Sequence, residues 1–222
     1  MLNLRTTVAV VALALTGAAA AATSNGIANG GFETAGNAES FAAGWLAAPT
    51  GNPALLASDA HSGSHSALLT VPAGFGASTL FQDSVAHGGL PSLTAANVGD
   101  TPVLSFWAKG DAGTTGNALF ALRYMGISGI LVDSGSQFFH QAINADGWTL
   151  ITFQAAAIPA GTTSVFLEMN TAVGPLLDGR ANAIYIDDIQ LTLTTAVPEP
   201  QSYALLVAGL VVVGAIVRRR RA

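Results

Sequence analysis

Two adjacent carboxylates near the end of the chain are the residues whose chemistry most clearly requires a binding partner. Asp187 and Asp188 lie in a run, residues 183–193, that has the composition and alternation of a β-strand. Successive strand residues point to opposite faces, which predicts Asp187 on the same face as Ile189 and Asp188 on the other. A buried carboxylate is costly unless it is paired or bound to a metal. The two acids therefore call for a partner.

Known catalytic patterns are absent from the sequence. It has no cysteine, no H-E-x-x-H, no G-x-S-x-G and no glycine-rich phosphate loop. The four histidines lack metal-ligand spacing: His61, His65, His87 and His140. A glycosidase needs two carboxylates across a cleft, and nothing in the sequence brings its candidates together: Glu33, Glu168, Asp187 and Asp188. We expect a protein that is not an enzyme.

Length and charge limit the classes of partner. A chain of 222 residues suits one domain with its own core. It carries 8 Lys+Arg against 13 Asp+Glu, which gives a formal net charge of −5. Binding to nucleic acid needs a basic surface, so nucleic acid is not expected as a partner. Without cysteine the domain has no disulfides and must rely on its core.

The first segment, residues 1–22, predicts a signal peptide. Arg5 provides a positive start, the short apolar run 8–15 predicts the signal helix, and the alanines at 18–22 offer cleavage sites. The alternative is a buried core helix. The signal predicts export by the secretion machinery, with cleavage after residue 22.

The C-terminal tail combines three features in order. Pro198 and Pro200, on either side of Glu199, block regular structure. The apolar run 203–217 predicts a single transmembrane helix, although it is shorter than the roughly 20 residues of a usual span. Four arginines follow: Arg218, Arg219, Arg220 and Arg221. Such positive flanks remain cytoplasmic, which leaves the rest of the chain outside.

In this order the tail, residues 197–222, resembles the PEP-CTERM sorting signal of Gram-negative bacteria. The resemblance implies a protein that is transiently anchored in the inner membrane, where an exosortase processes it. It also implies a final place at the cell surface or in the extracellular matrix, in association with exopolysaccharide or biofilm. A plain tail anchor is the alternative.

The middle segment, residues 23–196, predicts an all-β domain. Short alternating runs are separated by Gly, Pro, Asn and Asp. Six runs predict strands: 66–71, 103–109, 118–124, 148–154, 164–169 and 183–193. Many short strands with such punctuation are typical of an antiparallel sandwich or barrel.

Six motifs also stand in a recognisable order along this segment. They are Asn29-Gly30-Gly31-Phe32-Glu33, Gly44-Trp45, His61-Ser62-Gly63-Ser64-His65-Ser66-Ala67-Leu68, Leu104-Ser105-Phe106-Trp107-Ala108-Lys109, Gly147-Trp148-Thr149 and Tyr185-Ile186-Asp187-Asp188-Ile189. The order resembles the galactose-binding-like domains, in particular the carbohydrate-binding module 4/9 type. The resemblance implies an antiparallel jelly-roll β-sandwich.

The same resemblance implies a structural calcium ion. Glu33 and Asp188 would supply side-chain oxygens, with Asp187 as a further ligand, and the turn at 62–65 would supply backbone carbonyls. Ca²⁺ takes about six to eight oxygen ligands of both kinds. The alternative is that the acids cap turns or face water.

The resemblance further implies a carbohydrate ligand, which aromatic faces and nearby polar groups would hold. All three tryptophans fall at structural positions of the family: Trp45, Trp107 and Trp148. The exposed candidates that remain are Tyr124, Phe138, Phe139 and His140, with Arg123 and Gln141 as hydrogen-bond donors. For Phe138 or Phe139 taken singly, an ordinary core or edge role is the favoured interpretation.

We therefore expect a non-catalytic, carbohydrate-binding module held at extracellular polysaccharide. A structural matrix protein without a defined glycan is the main alternative, and a glycan-acting enzyme is the less favoured one. Exposed aromatics on a sheet face would favour the first function, whereas a face of Ala, Ser and Thr would favour the second. Two carboxylates about 5–10 Å apart in a groove would favour the enzyme.

Overall fold

The computed structural model describes residues 22–37, 40–48, 51–72, 76–83, 93, 95–111, 116–173, 182–195 and 209–210. The chain divides into two compact units. One unit is Thr23–Thr195, and the other consists of Met1–Ala22 with Ala196–Ala222. The β-sandwich belongs to the first unit.

Strands dominate the described part of Thr23–Thr195. They are β1 (Ala22–Asn25), β2 (Leu46–Ala47), β3 (Ala54–Ala57), β4 (Ser66–Val71), β5 (Gly76–Asp83), β6 (Val103–Asp111), β7 (Gly116–Gly126), β8 (Gly129–Asp133), β9 (Gln137–Phe138), β10 (Thr149–Gln154), β11 (Thr162–Val173) and β12 (Asn182–Thr195). Two short 3-10 turns, Ala95–Asn97 and His140–Ala142, join them. Each of the six predicted runs coincides with a strand to within a few residues, so the all-β prediction is confirmed.

The strands form two antiparallel sheets. The first sheet has the order β10-β6-β12-β4-β3, and β1 also pairs with β12. The second sheet has the order β2-β5-β11-β7-β8, and β9 also pairs with β7. Apart from the β3-β4 and β7-β8 pairs, neighbours in these orders are not consecutive strands, so each sheet is assembled largely from distant parts of the chain.

Alternate residues of the two sheets fill the core between them. Leu104 and Phe106 point inward from β6, and Phe120 and Leu122 point inward from β7. Phe106 meets Phe120 edge-on across the sandwich, with ring centroids 5.6 Å apart. Full burial of one such side chain stabilises the fold by roughly 1.5–3 kcal/mol.

The last strand departs from the predicted alternation at its two acids. Ile186 is buried in the core, and so is Ile189, three residues later. The pairing of β12 with β6 shifts register after Asp187, and Asp188 has a φ of 49°. A β-bulge of this kind adds one unpaired residue and bends the strand. The prediction that Asp187 shares the face of Ile189 is wrong, because the bulge exchanges the two faces.

The predicted signal helix and transmembrane helix fall outside the described residues, apart from Gly209 and Leu210, which are helical. Among the residues that are described, no helix has the length and apolar character needed to cross a membrane. The limits assigned to signal peptide, domain and tail stay predictions.

Candidate functional site

The first acid of the last strand binds the loop between β3 and β4. Asp187 is fully buried. Its Oδ2 accepts the backbone N–H of His61 at 2.7 Å and of Ser62 at 3.1 Å, and its Oδ1 accepts that of Asp188 at 2.7 Å. Burial raises the pKa of Asp187, while the three N–H donors act in the opposite direction. The partner that the sequence demanded is a backbone segment 126 residues earlier in the chain.

The second acid binds the side chains of the same loop. His61 Nδ1 lies 2.7 Å from Asp188 Oδ2, and the Ser62 hydroxyl donates to Asp188 Oδ1 at 2.7 Å. The His61 ring also stacks on Trp107, with ring centroids 3.9 Å apart. Trp107 is the strand partner of Asp187. The loop is thereby fastened to the outer face of the first sheet.

Glu33 holds the other end of this loop. Its Oε1 accepts the backbone N–H of Ser64 at 2.7 Å and of His65 at 2.8 Å. These two bonds, with that of Ser64 the larger, lower the pKa of Glu33. Three acids thus bind one loop, and we call Glu33, Asp187, Asp188 and residues 61–65 the acid cluster.

Gly63, in the middle of this loop, is expected to be intolerant of a side chain. Its φ is 66°, and a Cβ there would lie 2.4 Å from Glu33 Oε1. Gly63→Ala is expected to lower the free energy of unfolding by about 1–2 kcal/mol from the backbone conformation. Displacement of the Glu33 carboxylate, which accepts the N–H groups of Ser64 and His65, adds to this loss.

Gly135→Ala is the matched control for Gly63→Ala. Gly135 has the same φ of 66°, but nothing lies within 4 Å of its Cβ position. Gly135→Ala should therefore lower the free energy of unfolding only by the cost of holding alanine in the left-handed backbone conformation. Urea unfolding of both full-length variants measures the difference. Equal losses would contradict the role given to Glu33.

The acid cluster offers oxygen atoms, but the loop directs N–H groups at them. A Cβ at Gly31 would lie 3.4 Å from Asp188 Oδ1 and 3.7 Å from Asp187 Oδ1, so two carboxylates converge there. Such oxygens suit Ca²⁺, yet the 62–65 turn presents N–H donors to the acids. No group of three or more His, Cys, Asp or Glu side chains in the described ranges is arranged to hold a metal ion. The contacts of these acids in the described residues are hydrogen bonds, and calcium stays a prediction.

The outer face of the first sheet uses its aromatic rings for internal packing. Lys109 Nζ lies 5.1 Å from the ring centroid of Trp148 and 5.3 Å from that of Tyr185. The same ammonium group pairs with Asp59 at 2.5 Å. Trp45 is fully buried, which confirms its predicted structural position. The Trp148 and Tyr185 rings on this outer face are therefore in contact with the protein's own Lys109 side chain.

The outer face of the second sheet carries a partly exposed stack that crosses three strands. Phe81 on β5 stacks on Phe166 of β11, with ring centroids 5.5 Å apart. Arg123 on β7 places its guanidinium carbon 5.5 Å from the Phe166 ring centroid. We call Phe81, Phe166 and Arg123, together with Glu168 and Phe138, the outer strip.

Arg123 links two carboxylates at the centre of this strip. Its Nε donates to Asp133 Oδ2 at 2.9 Å, and its Nη1 donates to Glu168 Oε2 at 2.9 Å. The hydrogen bond from Arg123 lowers the pKa of Asp133, which therefore stays ionised at neutral pH. Burial lowers the pKa of Arg123, but the two carboxylates together outweigh it and raise that pKa. One cation and two acids leave the centre of the strip with a net negative charge.

Two of the predicted ligand residues are buried. Tyr124 donates its hydroxyl to the Ala156 carbonyl at 2.7 Å, and burial raises its pKa to about 12. Phe139 packs on Phe106 in the core, with ring centroids 5.1 Å apart. The placement of Tyr124 and Phe139 among the exposed candidates is wrong, and the core role favoured for Phe139 is confirmed. Tyr124 follows the outward-facing Arg123 in its strand and therefore points inward.

The other predicted ligand residues lie on or beside the outer strip. Phe138 is 59% exposed and pairs with Leu119 on β7, which places it on the same face as Arg123. The His140 ring lies edge-on to Phe138, with centroids 6.0 Å apart. Gln141 is exposed in the 3-10 turn that follows β9. The structure thus brings Arg123 and Phe138 together on one face.

Sequence reasoning missed the two stacked rings of the strip. For Phe166 the available signal was the alternation of the strand. It shares one face with Glu168, while Val165 and Leu167 share the other, which indicates an outward position for Phe166. Phe81 lies in Gly76–Asp83, whose small and polar residues give little β-strand pattern. Its strand therefore had no strong signal in the sequence.

Comparison with known proteins identifies the tail. The PEP-CTERM protein-sorting motif matches residues 196–221, which confirms the motif predicted from the Pro-Glu-Pro, apolar and arginine segments. No curated protein matches the chain in sequence.

Solved structures similar to the domain include phage and carbohydrate-binding proteins. The enzymatically active domain of tailspike protein 4 of bacteriophage CBA120 has a TM-score of 0.54 at 20% identity, covering 76% of this chain and 21% of that one. The chain thus spans about a fifth of the length of that solved domain. The xylan-binding CBM22-1 domain of Paenibacillus barcinonensis Xyn10C has a TM-score of 0.49 at 15% identity, covering 81% and 100%. TmCBM61, solved with β-1,4-galactotriose, has a TM-score of 0.48 at 16% identity, covering 76% and 97%. At these identities the likeness concerns the fold alone.

Proposed function

We propose that this chain, whose tail carries the PEP-CTERM motif, is an exported protein that an exosortase processes at the inner membrane. Its domain is a non-catalytic jelly roll that binds a glycan at the cell surface or in the extracellular matrix. The outer strip carries the glycan-binding part of the proposal, and the tail motif carries the sorting part.

The outer strip offers the two kinds of contact that a sugar needs. A sugar ring has apolar C–H surfaces and a rim of hydroxyl groups. The stack of Phe81 and Phe166 supplies apolar ring surface beside the guanidinium of Arg123 and the carboxylate of Glu168. An aromatic surface with a few fixed polar groups is typical of small-molecule sites.

The charges of the strip favour a neutral glycan. Arg123 is already paired with both Asp133 and Glu168, so its charge is compensated. An incoming uronic acid would meet two carboxylates and one engaged guanidinium. Like charges at close range oppose binding. We therefore favour a hydroxyl-rich neutral polysaccharide as the ligand class.

The same pairing disfavours catalysis at the strip. A glycosidase needs one carboxyl group that is protonated in the resting enzyme. The hydrogen bond from Arg123 holds the pKa of Asp133 below its usual range. A matrix protein without a defined glycan is the alternative function, since the strip lies on one face of a single sheet.

A glycan array probed with the full chain in detergent tests the binding proposal. The array carries neutral and uronic-acid polysaccharides, and a parallel assay measures newly released reducing ends. Retention on neutral glycans without new reducing ends supports the proposal. Retention on no glycan favours the matrix protein, and release of reducing ends favours an enzyme.

Sorting is expected to depend on the two prolines of the tail. Pro198 and Pro200 would hold an extended, protease-accessible segment just outside the bilayer. Replacement of both by alanine is expected to leave most of the protein at full length in the inner membrane. Replacement of Gln201 and Ser202 by alanine is the matched control. Cell fractionation and immunoblotting measure processing, and normal processing of the proline variant would refute this role.

Calcium binding at the acid cluster has a direct test. If Glu33, Asp187 and Asp188 hold Ca²⁺, a chelator lowers the melting temperature of the full chain, and Ca²⁺ restores it better than Mg²⁺. At a hundredfold excess over the dissociation constant, the ion would stabilise the fold by about 2.7 kcal/mol. Glu33→Ala and Asp188→Ala should each abolish the response. An unchanged melting curve would contradict calcium binding and mean that hydrogen bonds alone stabilise the acid cluster.

A further inference from the structure

The hairpin between β7 and β8 ends in an apolar tip. Its turn consists of Ile127 and Ser128. Ile127 is 99% exposed, and the next two apolar residues, Ile130 and Leu131, are 55% and 43% exposed. Two-residue hairpin turns favour Asn, Asp and Gly, so folding does not call for an isoleucine here. Single exposed apolar residues are ordinary, but a group of them indicates an interaction surface.

This tip lies at the end of the sandwich where the chain leaves the domain. Near the end of β12, Thr192 pairs with Val103, and Val103 also pairs with Gln154 at the end of β10. A short connection then leads from β10 to Thr162, which pairs with Gly126 beside the tip. The end of β12 and the hairpin tip therefore belong to the same end of the sandwich.

The sorting motif begins where the last strand ends. β12 ends at Thr195, and the motif covers residues 196–221. The predicted apolar span begins at residue 203, so seven residues, 196–202, connect it to β12. Seven extended residues reach at most about 25 Å. If the tail spans the bilayer as predicted, this length limits how far the end of β12 can lie from the membrane surface.

We propose that the hairpin tip, Ile127 with Ile130 and Leu131, enters the surface of the inner membrane while the tail anchors the chain. The proposal rests on the sorting part of the proposed function. The bilayer is the occupant because the short connection of residues 196–202 keeps it next to an apolar tip at high effective concentration. The apolar side chains leave water there, which holds the domain in a fixed orientation until the tail is processed.

Single cysteines can test this contact, because the sequence contains none. Ser128→Cys places an environment-sensitive fluorophore beside Ile127. Ala145→Cys is the control, since it is exposed in a loop at the opposite end, where the neighbouring Asn144 carbonyl accepts the Gly110 N–H. The full-length chains are reconstituted into phosphatidylethanolamine–phosphatidylglycerol vesicles that contain a doxyl-labelled lipid.

The Ser128 probe is expected to show blue-shifted emission and several-fold stronger doxyl quenching than the Ala145 probe. Ile127→Asp in the Ser128→Cys chain should reduce the quenching to the Ala145 level. Equal quenching of both probes in chains that resist carbonate extraction would overturn the inference and leave the sorting proposal intact. Release of the chains by carbonate would overturn tail anchoring and the inference together. A third outcome is a blue shift that increases with protein density but is not accompanied by doxyl quenching. It would assign the tip to a contact with a second copy of the chain and overturn the bilayer contact.

Discussion

Asp187→Ala is expected to lower the free energy of unfolding by roughly 3–5 kcal/mol. The carboxylate accepts the N–H groups of His61, Ser62 and Asp188 in a fully buried position. Alanine would leave three N–H donors without an acceptor. A buried orphan donor costs about 1–3 kcal/mol, and a donor on an exposed residue such as Ser62 costs less. Urea unfolding of the full chain, followed by tryptophan fluorescence, measures the loss. The Trp107 ring, stacked on His61, should report release of the loop.

Two further variants separate this effect from a general loss of charge. Asp146→Ala removes an exposed loop acid and should change the free energy of unfolding by no more than about 0.5 kcal/mol. Asp187→Asn keeps one acceptor oxygen but turns an amide toward one of the N–H donors, so an intermediate loss is expected. If Asp187→Ala costs no more than Asp146→Ala, these bonds do not hold the loop.

Phe166→Ala is expected to weaken glycan binding at least about 30-fold, or about 2 kcal/mol. Phe166 stands at the centre of the outer strip, between the Phe81 ring and the Arg123 guanidinium. Its removal takes away apolar ring surface and the support that aligns Arg123. Affinity electrophoresis in gels that contain the neutral glycan found on the array gives the change in the dissociation constant.

Leu150→Ala is the control for this loss. Leu150 is also an exposed apolar residue, but it lies on β10 in the first sheet. Its removal should leave glycan binding unchanged. Melting temperatures of both variants distinguish a weakened site from a weakened fold. Wild-type affinity in a folded Phe166→Ala chain would exclude the outer strip as the binding surface.

The sorting motif of the tail and the positions of most strands could be read from the sequence, because those signals are local. The order of Pro-Glu-Pro, apolar run and arginines needs no tertiary context, and it matches the sorting motif at 196–221. Strands such as Ser66–Val71 and Thr149–Gln154 carry their own alternation and turn residues. The demand of Asp187 for a partner was also visible, since it follows from the cost of burying a carboxylate.

Only the tertiary structure decided which residues bind the Asp187 carboxylate and which residues reach the surface. The partner of Asp187 is a loop 126 residues away, and no local pattern encodes such a contact. The bulge at Asp188 reverses the faces of β12, so a period of two could not be carried through it. Alternation states that Arg123 and Tyr124 face opposite ways, but only the second sheet packed over the first decides that Tyr124 is the buried one.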